Sequence, residues 1–373
     1  MSMTIIGHKP LIEYPWANEI DRLLASITNK DLSFRAFLFD VVMSMAYIDA
    51  TAGLEKSIEY CTTLKNGYNA HIGFINLCSP CYENGAWQYQ KAVKPESGAL
   101  GKLSSEVILK FIEYFSDNFE SVTVIGGSDY ADALILHKDG TKILAEVKSA
   151  PLITYPLLIN VNQLETPVNH QKINLTSSQL KACDSALYLH NHDLIPLGKI
   201  GSENWPFKPF VDFATDKANE TVLEKLYQTW LQAREAYISK NKKNPLYYLT
   251  NACGNPPIDA KRNHDWPQKQ VISDSKTSAG MDRTDDIKKG IYQTLKIGIT
   301  HKHEADCKTA IISNLPAYRH NEDYILPFVS MLWGTEDDLE EIENKQVIQR
   351  KNLRYLFDYI ITLENPLLRE LVL

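Results

Sequence analysis

Cysteine is scarce in this chain: there are six in 373 residues, standing singly apart from Cys78 and Cys81. Such usage argues against a disulfide framework and fits a reducing compartment, so a cytoplasmic protein is expected. No apolar run approaches the ~20 residues that a membrane-spanning helix needs. The opening MSMTIIGHKPLIEYPW has no basic stretch followed by a long apolar one, so neither a secretory signal nor a membrane partner is expected. The phosphate-binding pattern GxxxxGK[ST] is missing, and the glycines of IGGSDYAD do not replace it, which argues against a nucleotide cofactor. Internal repeats and low-complexity tracts are missing as well. Positive charge is not in excess: the net charge is −7, so a polyanionic partner would have to be met by a local patch. Cys78 and Cys81 have the spacing of a zinc knuckle, but a structural site needs a second pair at matching spacing. His301, His303 and Cys307 are the distant candidates and supply no such pair, so zinc is not expected.

What remains is an ordinary globular composition, 44% hydrophobic and 23% charged, at a length that predicts two or three packed units. Residues 1–95 read as a helical N-terminal region, because NEIDRLLASI and FRAFLFDVVMSMAYIDATAGLEKSIEYCTTL repeat apolar side chains every three or four positions. Segments 96–150 and 275–335 read as one core. The first supplies an amphipathic helix, SGALGKLSSEVILKFIEYF, and three strands, SVTVIGG, ADALILH and TKILAEVK. The second supplies the helix DRTDDIKKGIYQTLKIG, acidic in its first turns, and two strands, CKTAIISNLPA and YILPFVSMLWG. Between them, 151–274 is an insertion with helices at TSSQLKACDSALYLH and NETVLEKLYQTWLQAREAYISK, and His190 and His192 at the end of the first. The run TEDDLEEIENKQVIQRKNLRYLFDYIITL predicts a C-terminal helix over 336–373.

The chemistry concentrates in one hairpin. Asp139-Gly140 between two apolar runs is a strong turn signal. Glu146 and Lys148, two apart on a strand, share a face, and Asp132 opens the partner strand. A two-residue loop would put Asp132 opposite Val147, on the wrong face. A three-residue loop, or one bulge, is therefore expected, pairing Asp132 with Lys148 and Leu134 with Glu146. Two carboxylates and the Val147 carbonyl then make an all-oxygen partial shell suited to Mg²⁺, with Lys148 as a point charge beside it. Glu106, near the start of the preceding helix, is a further candidate ligand or holder of a ligating water.

The pattern Asp132, Glu146-Val147-Lys148, with Glu106 upstream, resembles the PD-(D/E)XK nuclease superfamily, best known from restriction endonucleases; Ala131 stands where the family name has proline. The resemblance covers about 50 contiguous residues and the later helix-strand pair. It implies a restriction-endonuclease-like α/β core, a mixed sheet flanked by helices, with Asp132, Glu146, Lys148 and Glu106 catalytic. It also implies Mg²⁺-dependent hydrolysis of DNA to a 3′-hydroxyl and a 5′-phosphate. A helix after the acid-x-lysine strand carries a polar residue near the scissile phosphate in several branches, and Gln293 takes that place by resemblance.

Charge agrees locally. From Lys240 to Arg319 there are fourteen lysines and arginines against eight acids. Such a patch is what a phosphate backbone would meet. Lys289, Gln293 and Lys296 fall on one side of their helix, and Lys261 and Arg262 lie in a loop near Trp266; with Tyr247 and Tyr248 these are the candidate DNA contacts. A sequence-specific type II restriction enzyme, acting as a homodimer on double-stranded DNA, is the expected function. Another nuclease of the superfamily, in repair or phage defence, and a catalytically silent DNA-binding module are the alternatives.

Overall fold

The computed structural model describes residues 8–10, 16–52, 56–60, 67–72, 88–89, 97–125, 131–161, 172–188, 194–250, 261–262, 279–304 and 306–364. The chain divides into two units, one of residues 1–12, 108–149 and 280–373, the other of 13–107 and 150–279. The expected N-terminal region and insertion thus fall largely together in the second unit. No helix among the described residues is long and apolar enough to cross a membrane.

The first unit is built on a six-stranded sheet: β1 (His8–Pro10), β2 (Phe119–Ile125), β3 (Ala133–His137), β4 (Lys142–Val147), β5 (Cys307–Ser313) and β6 (Tyr359–Thr362), adjacent in that order. The strands from β1 to β4 pair antiparallel, and β4, β5 and β6 pair in parallel. Helix α1 (Ser97–Phe115) leads into β2, and α2 (Thr284–Thr300) leads into β5. This is α/β architecture with a mixed sheet flanked by helices. Strand β4 lies between an antiparallel and a parallel neighbour, and every residue from Ile143 to Val147 is buried. A central strand covered on both faces reads as a continuous apolar run, here broken only by Glu146.

The hairpin loop has three residues, Lys138 to Gly140. The Gly140 N–H donates to the His137 carbonyl at 2.9 Å, and the His137 N–H to the Thr141 carbonyl at 2.9 Å. Gly140 has φ +91°, which a side chain would strain. A three-residue turn closed by such a glycine keeps the odd parity that the faces require. The register differs from expectation by two residues: Leu134 lies opposite Leu144 rather than Glu146. Asp132 accordingly lies opposite Glu146, not Lys148. The turn begins at His137, one residue earlier than the Asp-Gly signal suggested.

Helix α2 runs antiparallel to β4. Its Ile297 packs with Leu144 and its Ile287 with Ile311. A Cβ on Gly290 would lie 3.6 Å from Ile311 and 3.9 Å from the Lys148 stem. Those contacts assign Leu144, Glu146 and Lys148 to the face that α2 covers.

Two expectations for the C-terminal part fail, and one for the N-terminal region. The helix expected over 336–373 is not formed by its described residues, 336–364: a short 3-10 turn at Glu336–Asp338 is followed by a hairpin, Leu339–Ile342 with Lys345–Ile348, and then by β6. Glu343 and Asn344 both have positive φ, the geometry of a tight hairpin turn, and Asn tolerates it. The β-branched run of β6 prefers a pleated surface. YILPFVSMLWG is not a strand either; it makes two short helical turns and only Leu332–Trp333 is extended. In the N-terminal region, Lys56–Tyr60 is a strand rather than helix.

The second unit contains an antiparallel sheet in the spatial order Leu194–Lys199, Asp184–Tyr188, Leu157–Ile159, Ala70–Ile72, Lys56–Tyr60, Lys172–Leu175. Helices at Ala17–Ser26, Leu32–Ala52, Phe207–Thr215 and Glu220–Ile238 belong to the same unit. The helix expected at TSSQLKACDSALYLH ends at Ala182, and its second half is the strand Asp184–Tyr188. His190 and His192 lie outside the described residues and follow a strand, not a helix.

Candidate metal centre

Asp132 is held at the mouth of the hairpin by backbone bonds on both sides. Its N–H donates to the Ala145 carbonyl at 2.9 Å, and its carbonyl accepts from the Ile125 N–H at 2.9 Å. Its carboxylate Oδ2 accepts the Val147 N–H at 2.8 Å, so the side chain ends the ladder where the backbone stops pairing. The Glu146 carboxyl, opposite, lies within hydrogen-bonding reach of the Asp132 carboxyl. Lys148 donates from Nζ to Glu146 Oε1, and its Nζ lies 3.4 Å from the Val147 carbonyl oxygen. The tertiary structure therefore brings Asp132, Glu146, Lys148 and the Val147 carbonyl to one point.

Electrostatics there are unfavourable to two bare carboxylates. Burial first, and the neighbouring Asp132 second, push the Glu146 carboxyl up from 4.5 to about 7, while the Lys148 ammonium pulls the other way. A buried acid facing a second carboxylate is an oxygen-donor site that a hard divalent cation would relieve.

The same shift makes a prediction for the metal-free protein. A carboxyl whose folded pKa is raised stabilises the fold fully below its unfolded pKa, and that contribution disappears as pH rises through about 7. It amounts to at most on the order of 3 kcal/mol. Denaturant midpoints measured in EDTA at about pH 5.5 and 8 should fall with pH in the parent and fall much less in Glu146→Gln. Equal slopes in the two proteins would refute the assignment.

Two more polar groups face this region. Ser313 ends β5 next to Lys148, whose N–H donates to the Ile312 carbonyl at 2.8 Å. Its side chain is fully buried, and its Oγ has no hydrogen-bond partner among the described residues. Gln293 sits on α2 between Gly290, which passes Lys148, and Ile297, which meets Leu144, and so is level with Glu146. Its Oε1 is likewise shut from solvent without a partner among the described residues. A buried polar atom left without a partner costs roughly 1–3 kcal/mol, so each of these two is a group that a bound ligand could satisfy. From sequence alone Ser313 reads as a strand terminus rather than a functional group, and only the parallel pairing sets it beside Lys148.

The other candidates are more scattered. Lys289 is exposed and Lys296 half-buried on α2, on the side away from Ile291 and Leu295, as the helical period requires. Lys261 and Arg262 form a short parallel pairing with Gln88 and Tyr89 in the second unit. Glu106 is buried, with Lys102 Nζ 4.0 Å from its carboxylate; it too belongs to the second unit, ending two residues before the first unit's part of α1. Tyr247 is corrected: it is buried against Ala236 and so has no free face to offer a base. Trp266, Cys78 and Cys81 lie outside the described residues. No family model, curated protein or solved structure gives a significant match to this chain.

Proposed function

We propose that this chain is a Mg²⁺-dependent endodeoxyribonuclease with a restriction-endonuclease-like core. A sequence-specific type II enzyme, cutting double-stranded DNA as a homodimer, is the form we favour. One observation carries the reading: Asp132, buried Glu146 and Lys148 converge where β4 leaves its hairpin partner and pairs in parallel with β5.

The donor set fits a hard cation, being two carboxylates and the Val147 carbonyl with no sulfur or imidazole among them. When bound, Mg²⁺ lowers the pKa of a ligated water and stabilises negative charge growing on phosphorus. In this reading Asp132 and Glu146 hold the ion, and Lys148 orients the attacking water and neutralises the scissile phosphate. Gln293 and Lys289, on the flank of α2 beyond Gly290, contact the phosphate backbone, a role that fixes position rather than sequence. Two cuts in opposite strands call for two symmetry-related sites. The exposed Leu339, Ile342 and Val347 of the C-terminal hairpin offer apolar surface for a second copy to cover.

Digestion of phage DNA tests this. Discrete fragments with Mg²⁺, none with EDTA and none with Ca²⁺ are expected. Cleavage without discrete bands would keep the nuclease and discard the restriction enzyme. No cleavage of supercoiled, linear or branched DNA with Mg²⁺ or Mn²⁺ would remove the proposal.

A further inference from the structure

We propose that His301, Glu304 and Cys307 form a second metal site, structural in role, that takes zinc and staples the end of α2 to the start of β5. The site is independent of the nuclease reading.

The backbone sets the three side chains in line. The His301 N–H donates to the Ile297 carbonyl at 3.0 Å, closing the last turn of α2. The Glu304 N–H then donates to the His301 carbonyl at 2.9 Å, and the Cys307 N–H to the Glu304 carbonyl at 3.2 Å. Two successive i→i+3 bonds fold the chain back so that the three residues lie near one another. One ligand atom from each lies within 4.8 Å of the others.

Tetrahedral zinc with its usual bond lengths sets neighbouring ligands about 3.3–3.8 Å apart. The trio needs to close by at most about 1 Å to reach that spacing. His301 Nδ1 and Glu304 Oε1 are already 3.0 Å apart, so the movement falls to the Cys307 thiol and the Glu304 arm. Cys307 is a free thiol that donates to the Lys308 carbonyl at 3.9 Å, a weak contact to give up. His301 is buried and Glu304 reaches solvent, with a side chain 39% exposed, which gives an ion its way in.

The donors decide which ion. Imidazole nitrogen, thiolate sulfur and carboxylate oxygen are a zinc set; Mg²⁺ would refuse the sulfur. The fourth position is left to water. Glu304 is the ligand that a search for cysteine and histidine pairs overlooks. A cation here would pin α2, whose Gly290 and Ile297 pack on β4 and β5, at the point where the helix would otherwise fray. The competing account is an ion pair of His301 with Glu304 that merely ends the helix, and it gives the thiol no part.

The experiment therefore reads the thiol. The full chain, stripped by a chelator and desalted, is titrated with Co²⁺. We expect a sulfur-to-cobalt charge-transfer band and tetrahedral cobalt absorption saturating at one equivalent, both abolished by Zn²⁺. Cys307→Ser should lose the charge-transfer band, and the Cys78→Ser/Cys81→Ser double variant should retain it. Glu304→Gln, at a half-exposed position, should fold normally and weaken zinc binding by at least about tenfold. It should also lose the zinc-dependent rise in thermal midpoint, which serves if Cys307→Ser does not fold. A band that persists in Cys307→Ser, that follows Cys78 and Cys81, or that never forms would overturn the site, as would Glu304→Gln binding zinc like the parent.

Discussion

Lys148→Ala is expected to leave a folded protein that cleaves DNA about 10³-fold more slowly, with DNA binding in Ca²⁺ little changed. The ammonium is the one positive charge that the described contacts place at the paired carboxylates, against Glu146 and 3.4 Å from the Val147 carbonyl. Removing it deletes the group assigned to the water and the phosphate while sparing both proposed ion ligands. It has a second effect. Lys148 holds the Glu146 carboxyl down, so without it that carboxyl rises beyond about 7 and residual activity should need a higher pH. Lys148→Arg should not rescue, since a rigid planar fork replaces a compact charge where the stem runs beside α2. Single-turnover rates across pH, with binding by fluorescence anisotropy, check all three. Activity within tenfold of the parent would remove Lys148 from the mechanism.

The largest loss of stability is expected elsewhere, at Asp40→Ala, by roughly 3–5 kcal/mol. Asp40 is fully buried in the helix Leu32–Ala52. Its carboxylate accepts the N–H groups of Leu152 at 3.1 Å and Ile153 at 2.9 Å, and the indole N–H of Trp230 at 2.7 Å. Its backbone carbonyl accepts the Ser44 hydroxyl, which in turn accepts the Tyr155 N–H. One acid thereby ties the first residues of the insertion to two helices of the second unit. Alanine would leave two backbone donors and an indole donor dry, each costing on the order of 1–3 kcal/mol. Asp40→Asn should recover part of the loss, because one amide oxygen still accepts. Urea unfolding measures the difference, and a change below about 1 kcal/mol would show that water replaces the carboxylate.

Two buried acids thus carry opposite meanings. Asp40 is surrounded by donors and is a structural anchor. Glu146 faces another carboxylate, with the Lys148 ammonium as its counter-charge. Composition could not separate them, since both stand in apolar runs. The hairpin residues were legible because alternation, an Asp-Gly turn and parity are local constraints. Even there the register missed by two, because the chain turns at His137 and the glycine takes the left-handed position. The C-terminal segment was misread for the opposite reason. Its acidic run resembles a helix start, and only the hairpin turn at Glu343-Asn344 and the edge of a waiting parallel sheet draw it into strands.

By itself the sequence determined the helix-strand-strand-strand order from α1 to β4, the helix α2, and the common face of Asp132, Glu146 and Lys148. These follow from periods of two and 3.6 residues, which act over a few neighbours. Tertiary structure alone decided that β5 lies parallel to β4 across a long insertion, bringing Ser313 beside Lys148. It also decided that residues 56–60 and 70–72 join a sheet with 157–159 and 172–175. Such pairings close long loops at an entropic cost that grows only slowly with length. They are therefore selected by which surfaces bury best together, information that no short window of residues contains.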